Sequence, residues 1–431
     1  MAAKNSSEIR RKNRMRRKRR NRRILIAVII LLLMVVSCGA VLIWHSAGSI
    51  GKGDNRLLPA KDPQTITVGS VGDVIIHDPF LRSSQCKSGD DYNFSDCFKF
   101  MKDIYEDQDY VAANLETSLA GKSAKYSGYP LFNSPDSIAD ALHENGIDLM
   151  LLANNHIYDK GKSGFDRTMK VLSEKEYDYT GARQSSGQAK YLIKNIKGIK
   201  VGFINYTYET PSSSGKALNG NKMDSESAAL LNSFKPRNLE PFYEEAARQI
   251  GIMKLAGAEF IIFYPHWGEE YKLEAYGYTT SMAKKMCDLG ADAIIGGHPH
   301  VVEPVDVITS SDGSRKTFVA YSMGNHISNQ RREMISSMPS GHTEDGIMVN
   351  LEITRNENGK TQLTGVEIIP TWVYKKGQDN PTYYVIPVNK ADEVESMTGI
   401  GGITGSCRAS SARTHEIIDS GMKKVKKEFG F

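Results

Sequence analysis

Side chains that can bind metal ions follow apolar runs at several places in the middle of this chain. Five polar clusters share this placement: Gly72-Asp73, Asn114-Leu115-Glu116, Asn154-Asn155-His156, His266-Trp267-Gly268 and His298-Pro299-His300. Carboxylate and amide oxygens and imidazole nitrogens are the donors that divalent cations take in proteins. Each cluster follows a β-rich stretch, which predicts that the polar side chains lie at the C-terminal ends of strands. The sequence therefore predicts a metal-dependent site.

The two carboxylates of these clusters suit different parts of a two-metal hydrolytic centre. Such a centre needs donors from several strand ends, a carboxylate that can bridge two ions, and an open position for water. Asp73 follows Gly72, whose missing side chain allows another backbone to approach closely. Glu116 has the longer side chain and could reach between two ions.

The amide and imidazole groups supply the remaining donors. His298 and His300 are two residues apart, so both rings could face the same side of a strand end or loop. Asn155 and His156 are adjacent, so a turn would let one bind metal while the other faces the substrate. His266 follows a separate apolar run and completes the set.

Each residue taken singly also has a purely structural interpretation. Asp73 could cap a turn or helix, Asn155 could belong to a simple turn, and His266 could be a packed core histidine. His77 could equally well face solvent. The joint occurrence favours a site, because four of the ten histidines and three acid or amide residues end β-like runs within about 230 residues.

Strands alternate with helices between residues 65 and 295, which predicts an α/β domain. The predicted strands span residues 65–71, 147–152, 200–206, 259–264 and 292–295, and the predicted helices span 137–144, 163–175, 240–255 and 279–289. Hairpin signals at Asp312-Gly313 and Asn358-Gly359 then predict antiparallel strands over 301–308, 316–321, 347–353 and 363–370. Residues 210–236 are expected to form an insertion or surface loop, 399–405 a loop, and 413–429 a helix.

The N-terminal region predicts a membrane anchor. Residues 4–23 contain twelve Lys and Arg residues against Glu8, and 24–44 carry no charge, which suits a helix that crosses a bilayer. The charge asymmetry places the N-terminus in the cytoplasm and the rest of the chain outside. Removing this +11 from the +5 of the whole chain leaves about −6, so nucleic acid is not expected as a partner.

Cysteine placement leaves two questions open. Val35-Val36-Ser37-Cys38 is similar to a bacterial lipobox, so Cys38 could be lipidated, although the apolar 39–44 and the long basic region favour an uncleaved signal anchor. Cys86 and Cys97 could form a disulfide in an oxidising exterior, which would contribute about 2 to 3 kcal/mol. The alternative is two free thiols.

Six motifs in this order resemble the CapA family of poly-γ-glutamate capsule synthesis, whose domain belongs to the calcineurin-like metallophosphatase superfamily. They are Gly72-Asp73, Asn114-Leu115-Glu116, Ala153-Asn154-Asn155-His156 with Asp159 and Gly161, His266-Trp267-Gly268-Glu269-Glu270-Tyr271, Gly297-His298-Pro299-His300-Val301 and Tyr321-Ser322-Met323-Gly324-Asn325. The resemblance implies an α/β fold in which a metallophosphatase β-sandwich is flanked by helices, preceded here by one transmembrane helix. The expected organisation is a basic tail (1–23), a signal anchor (24–44), a linker (45–64), the metallophosphatase domain (65–374) and a C-terminal extension (375–431).

The resemblance also implies roles for single residues. The implied metal ligands are Asp73, Glu116, Asn155, His266, His298 and His300. Asp73 and His300 would hold the first ion, Glu116 would bridge, and the other three would hold the second. His156 would protonate a leaving oxygen as general acid, while an activated water attacks a phosphoester. One or two divalent ions, Mn²⁺, Zn²⁺ or Fe, are expected.

This chain departs from the superfamily pattern at three positions. The superfamily begins with Asp-x-His, whereas Asp73 is followed by Val74 and Ile75, so a weaker first metal or a single ion is expected. Glu116 stands where Asp is usual. His326 stands where an aromatic residue is usual, and it could be an additional ligand.

Three functions are compatible with these patterns. The first is an envelope phosphoesterase-like hydrolase that acts in capsule polymer assembly. The second is a non-catalytic assembly or anchoring factor that binds an anionic polymer such as poly-γ-glutamate, and the third is a structural extracellular domain. The expected partners are the bacterial cell membrane, the polymer or phosphoester, and other capsule-synthesis membrane proteins.

Overall fold

The computed structural model describes residues 64–275 and 277–431. The predicted basic tail, the predicted signal anchor with Cys38, and all of the predicted linker except Gln64 lie outside these residues. None of the helices in the described ranges is long and apolar enough to cross a membrane.

The strands of the described residues are numbered in chain order. They are β1 (Gln64–Val74), β2 (Lys87–Ser88), β3 (Asp91–Tyr92), β4 (Tyr110–Leu115), β5 (Leu149–Leu151), β6 (Asp178–Thr180), β7 (Leu192–Ile196), β8 (Ile199–Tyr208), β9 (Ala217–Leu218), β10 (Asn221–Lys222), β11 (Ser233–Phe234), β12 (Phe260–His266), β13 (Ala293–Ile295), β14 (Val305–Thr309), β15 (Lys316–Ala320), β16 (Asn325–Ile327), β17 (Asp345–Arg355), β18 (Thr361–Lys376) and β19 (Thr382–Pro387).

The α-helices in the described ranges are numbered in the same way. They are α1 (Asp78–Arg82), α2 (Lys102–Glu106), α3 (Ser137–Glu144), α4 (Gly161–Glu174), α5 (Ser225–Leu230), α6 (Glu240–Leu255), α7 (Tyr278–Leu289), α8 (Ala391–Thr398) and α9 (Ile403–Phe429).

Most strands belong to two mixed sheets. The first sheet has the order β19-β18-β17-β1-β4-β5-β6, and β16 also pairs with β1. Its strands β1, β4, β5 and β6 run parallel, whereas β17, β18 and β19 form an antiparallel meander. The second sheet has the order β11-β8-β12-β13-β15-β14, with β7 paired to β8. Its strands β8, β12, β13 and β15 are parallel, so each sheet brings several strand ends to one edge.

The two sheets pack face to face, and helices cover both outer faces. Alternate residues of one strand serve different cores: Ile66 of β1 lies in the core between the sheets, and Val71 lies in the core under α3 and α4. In the second sheet, Ile262 of β12 faces the first sheet and Phe263 faces α6 and α7. The fold is thus a mixed α/β sandwich flanked by helices, as the sequence predicts.

The predicted helices over 137–144 and 240–255 have the bounds of α3 and α6. The remaining predicted strands and helices overlap observed ones, with boundaries that differ by a few residues. Residues 210–236 are more ordered than the loop prediction states, because they contain β9, β10, α5 and β11. The Asp224 carboxylate caps α5 by accepting hydrogen bonds from the amides of Glu226 and Ser227.

The C-terminal residues pack onto the sandwich. The predicted boundary between residues 374 and 375 lies within β18, and β19 extends the same sheet. The observed helix α9 begins ten residues before the predicted helix over 413–429, because Ile403 and Cys407 are buried in a small core with Trp372. The loop predicted over 399–405 therefore ends at Gly402, the N-cap of that helix. Farther along α9, Ile418 and Val425 enter the core between the sheets.

The described cysteines are all buried and free. The sulfur atoms of Cys86 and Cys97 lie 3.7 Å apart, so the structure has the two thiols adjacent and not joined. Cys287, a buried residue of α7, donates to the carbonyl of Ile308 at 3.4 Å.

A buried carboxyl group lies just after the last of the polar clusters. Glu303 is 2% exposed, and its Oε2 atom has no hydrogen-bond partner among the described residues. Burial raises the pKa of Glu303 to about 8 from an ordinary value of 4.5. The folded protein therefore keeps this group protonated at pH values where the unfolded chain has released the proton.

We expect Glu303→Gln to remove a pH dependence of stability. In the wild type, the free energy of unfolding should fall as pH rises from about 4.5 to 8, by about 1.4 kcal/mol per unit of pKa difference. The neutral glutamine carries no such penalty, so the variant should gain stability relative to the wild type as pH rises. Urea unfolding at about pH 5 and pH 8 measures this difference, with Glu357→Gln on an exposed turn as control. An equal difference at both pH values would contradict the assignment.

Candidate metal centre

The polar clusters predicted from the sequence meet at one edge of the sandwich. Asp73 lies at the end of β1, Glu116 directly after β4, and His266 at the end of β12. The loop after β13 supplies His298 and His300, and the turn after β5 supplies Asn155. All six side chains are buried, between 0% and 4% exposed. Both sheets thus contribute donors to one enclosed group.

Close backbone packing fixes the first carboxylate. A Cβ atom on Gly72 would lie 1.9 Å from the carbonyl oxygen of Gly324, so no side chain fits there. The next residue uses this approach, because the amide of Asp73 donates to the same carbonyl at 3.0 Å. Gly72 therefore positions Asp73 between the strand end and the loop before β16.

Three groups of three ligand atoms in the described part of the chain lie close enough to hold a metal ion, and two of these groups are formed by buried residues alone. The first is formed by Asp73, Glu116 and His300, and the second by Glu116, His266 and His298, with the atoms of each group within 4.8 Å of one another. Glu116 belongs to both groups. A carboxylate shared in this way is placed to bridge two ions.

Asn155 extends the second group. Its Oδ1 atom lies 2.7 Å from Nε2 of His266, and Nε2 of His266 lies 3.5 Å from Oε1 of Glu116. The Nδ2 atom of Asn155 donates to Oδ1 of Asn219 at 3.1 Å, so the oxygen of the amide faces the centre. Asn154 is turned away and donates to the carbonyl of Leu115 at 2.9 Å.

Unpartnered buried atoms show that these residues fit a divalent ion. Oε1 of Glu116 and Nδ1 of His298 have no hydrogen-bond partner within the described part of the chain, although both residues are buried. Buried polar atoms without partners are costly, and an ion between them would satisfy both. Oxygen and imidazole donors of this kind suit Mn²⁺, Zn²⁺ or Fe²⁺.

The charges of the centre are coupled. Burial alone would raise the pKa of Asp73, but the hydrogen bond and positive charge of His300 lower it. Burial opposes protonation of His300, yet the negative charge of Glu116 and the hydrogen bond to Asp73 raise the pKa of His300 to about 9. Burial and the neighbouring imidazoles lower the pKa of His298, which leaves this ring neutral and able to donate a lone pair.

His156 lies beside the centre and belongs to neither ligand group. Its Nδ1 atom is 2.7 Å from Oδ2 of Asp159, and the edge of Phe132 packs against its ring at 4.7 Å between centroids. The same Asp159 oxygen accepts the amide of Phe132 at 2.7 Å, which fixes the carboxylate. Asp159 therefore occupies Nδ1 and leaves Nε2 as the nitrogen that can carry a transferable proton.

Two asparagines orient ligand side chains of the centre, and the sequence predicts no role for either of them. Nδ2 of Asn114 donates to Oδ1 of Asp73 at 2.7 Å and to Oε2 of Glu116 at 3.2 Å, which orients both carboxylates. Asn219, in the segment predicted as a loop, holds Asn155 as described above. Asn114 stood within a recognised motif, whereas no local signal marked Asn219.

Two further candidate histidines from the sequence, His77 and His326, lie outside the ligand groups of the described residues. His77 accepts the amide of Asn329 at Nδ1 over 3.2 Å, and burial lowers the pKa of His77 to about 3. Nε2 of His326 lies 2.5 Å from the hydroxyl of Tyr105. The ring of His326 stacks on Phe98, and burial lowers the pKa of His326 to about 3. The expectation that His326 adds a ligand is not met by this geometry.

Comparison with known proteins gives a family match over most of the domain. The family model "Bacterial capsule synthesis protein PGA_cap" matches residues 67–330. The PGA biosynthesis protein CapA of Bacillus subtilis (strain 168) is 24% identical over 322 residues, which cover 74% of this chain and 76% of that protein. The capsule biosynthesis protein CapA of Bacillus anthracis is 25% identical over 303 residues, which cover 68% and 67%.

A similar solved structure is that of Haemophilus influenzae NAD nucleotidase. The match covers 82% of this chain and 68% of that chain, with a TM-score of 0.42 and 10% sequence identity.

We expect Gly72→Ala to destabilise the protein and to weaken metal binding. The added Cβ would lie 1.9 Å from the Gly324 carbonyl oxygen and would have to displace backbone, at a cost of about 1 to 3 kcal/mol or more. Gly251→Ala is the matched control, because Gly251 is exposed on α6 and a Cβ there meets nothing within 4 Å. This substitution should be neutral or stabilise by up to about 1 kcal/mol. Thermal unfolding measures the stability of both variants, and equal stability of the two would contradict the proposed packing.

We also expect a divalent ion to stabilise the protein through His298. Saturation of a site at about one hundred times its Kd raises the free energy of unfolding by about 2.7 kcal/mol. Titration with Mn²⁺ or Zn²⁺, followed by elemental analysis, should show bound ion in the wild type and a reduced amount in His298→Ala. His415→Ala, an exposed histidine on α9, is the control. Absence of bound ion in the wild type would favour packed, structural histidines.

Proposed function

The chain belongs to the bacterial capsule synthesis protein family PGA_cap, and from that premise we propose that its domain is a metal-dependent phosphoesterase-like hydrolase in capsule polymer assembly. The observation that carries this proposal is the position of Glu116. It is shared by two ligand groups, and its Oε1 atom is buried without a partner. Structural histidines packed for stability alone would not require this arrangement.

The proposed reaction is hydrolysis of a phosphoester. Divalent ions, when bound, would supply Lewis-acid polarisation of the ester and an acidified water as nucleophile. Asp73, Glu116, Asn155, His266, His298 and His300 would hold them. Glu116 and Asp73 keep the orientation that Asn114 imposes on them.

His156 would act as general acid. A proton on Nε2 of His156 passes to the leaving oxygen, while Asp159 holds the ring through Nδ1 at 2.7 Å. The edge of Phe132 limits rotation of the ring. The leaving group therefore departs as a neutral alcohol, and His156 is reprotonated from solvent.

The place of action proposed is the outer face of the bacterial cell membrane. The support is in the sequence, where twelve Lys and Arg residues precede an uncharged run at 24–44. This signal anchor would tether the domain near an anionic capsule polymer and near other capsule-synthesis membrane proteins. Lipidation of Cys38 would give the same tethered placement.

We expect His156→Ala to lower hydrolysis of an aryl phosphomonoester or diester by about 10²- to 10⁴-fold, the usual contribution of a general acid. Metal content should stay unchanged, because His156 is in neither ligand group. His143→Ala, an exposed histidine on α3, is the control for surface substitutions. If the metal-loaded wild type hydrolyses no ester above the His156→Ala background, the hydrolase proposal fails. Metal binding without turnover would then support the alternative, a non-catalytic polymer-binding assembly or anchoring factor.

A further inference from the structure

We propose that Glu270 is an additional metal ligand on the solvent side of the centre. This inference rests on the metal centre proposed above and assigns a further donor to it. A carboxylate oxygen of Glu270 and one ring nitrogen each of His298 and His300 lie within 4.8 Å of one another. The two histidines come from different ligand groups, so Glu270 lies across the space between them.

The backbone on both sides of Glu270 is fixed against the histidine loop. The amide of Trp267 donates to the carbonyl of Gly297 at 3.1 Å, and the amide of Tyr271 donates to the carbonyl of Pro299 at 2.8 Å. The loop that carries Glu270 is therefore joined to the loop that carries His298 and His300. These two backbone hydrogen bonds hold the backbone of Glu270 beside the loop of His298 and His300.

Backbone conformation gives a second indication. Gly268 has φ of +93° and Tyr271 has φ of +62°, so the short loop turns sharply on each side of Glu270. The left-handed conformation is unfavourable for a tyrosine and persists where surrounding contacts hold it. Here the contacts are the bond to Pro299 and a hydrogen bond from Gln330 to the Tyr271 hydroxyl at 3.3 Å.

The exposure of Glu270 distinguishes it from the other carboxylates. Asp73 and Glu116 are buried and held by Asn114, whereas Glu270 is exposed. Among the carboxylates of the ligand groups in the described ranges, Glu270 alone reaches solvent, and substrate must enter from the solvent side. Glu270 is thus the one proposed ligand that a substrate oxygen could displace without disturbing the buried network.

The chain provides a matched control in the preceding residue. Glu269 has the same charge, is also exposed, and belongs to none of the ligand groups within the described ranges. Glu270→Gln and Glu269→Gln each remove one negative charge from the same loop. A direct bond to metal would distinguish them, whereas a general electrostatic effect would not.

The test uses the full-length protein with Mn²⁺ and Co²⁺ as probes. We expect Glu270→Gln to weaken Mn²⁺ binding about 10- to 100-fold by calorimetry, the range found when metal-site groups are removed. Glu269→Gln should bind as the wild type does. The visible absorption spectrum of bound Co²⁺, which reports coordination number and geometry, should change in Glu270→Gln alone.

Other results would overturn the assignment. Unchanged affinity and an unchanged Co²⁺ spectrum in Glu270→Gln would overturn it, as would a weakening shared by Glu269→Gln and screened by salt. A wild type that binds no divalent ion would overturn the metal centre together with the Glu270 ligand. A wild type that binds metal but lacks phosphoesterase activity would overturn the hydrolase proposal and leave the Glu270 assignment standing on its binding data.

Discussion

The burial of two carboxylates at one edge of the sandwich is the constraint on which the rest of this structure depends. Asp73 and Glu116 are both 0% exposed. An isolated buried carboxylate costs several kcal/mol, so the fold must surround this pair with positive charge and hydrogen-bond donors. His300 supplies the charge and Asn114 the donors. Both sheets must therefore end at the same edge for the acidic and basic groups to meet.

The loops around these carboxylates hold conformations that their residues would not adopt alone. His298 and His300 have φ of +101° and +58°, which is uncommon for residues with a side chain. The amide of His298 donates to Oδ2 of Asp73 at 3.2 Å, so the loop and the carboxylate stabilise each other. Such strain persists where rigid strands on both sides hold it in place, and it is frequent at functional sites.

Much of this arrangement could be predicted from the sequence because it depends on local signals. Apolar runs located the central strands of both sheets, and the polar residue after each run gave the candidate ligands. The prediction was poorer where contacts between distant residues decide the structure. Asn219 lies 64 positions from Asn155, which it holds, and β16 is three residues long. The first turns of α9 contain Gly405 and Ser406 and form a helix because Ile403 and Cys407 pack under Trp372.

The late position of α9 in the chain has a consequence for how the protein reaches its folded state. Ile418 and Val425 fill the core between the sheets, and Gly421 lies so close to Val305 that a Cβ there would be 1.8 Å from its carbonyl oxygen. These residues follow every strand of both sheets in the chain. A nascent polypeptide that has just completed β19 still exposes the apolar row of β14 to water. During synthesis these exposed apolar side chains favour aggregation until α9 packs against them.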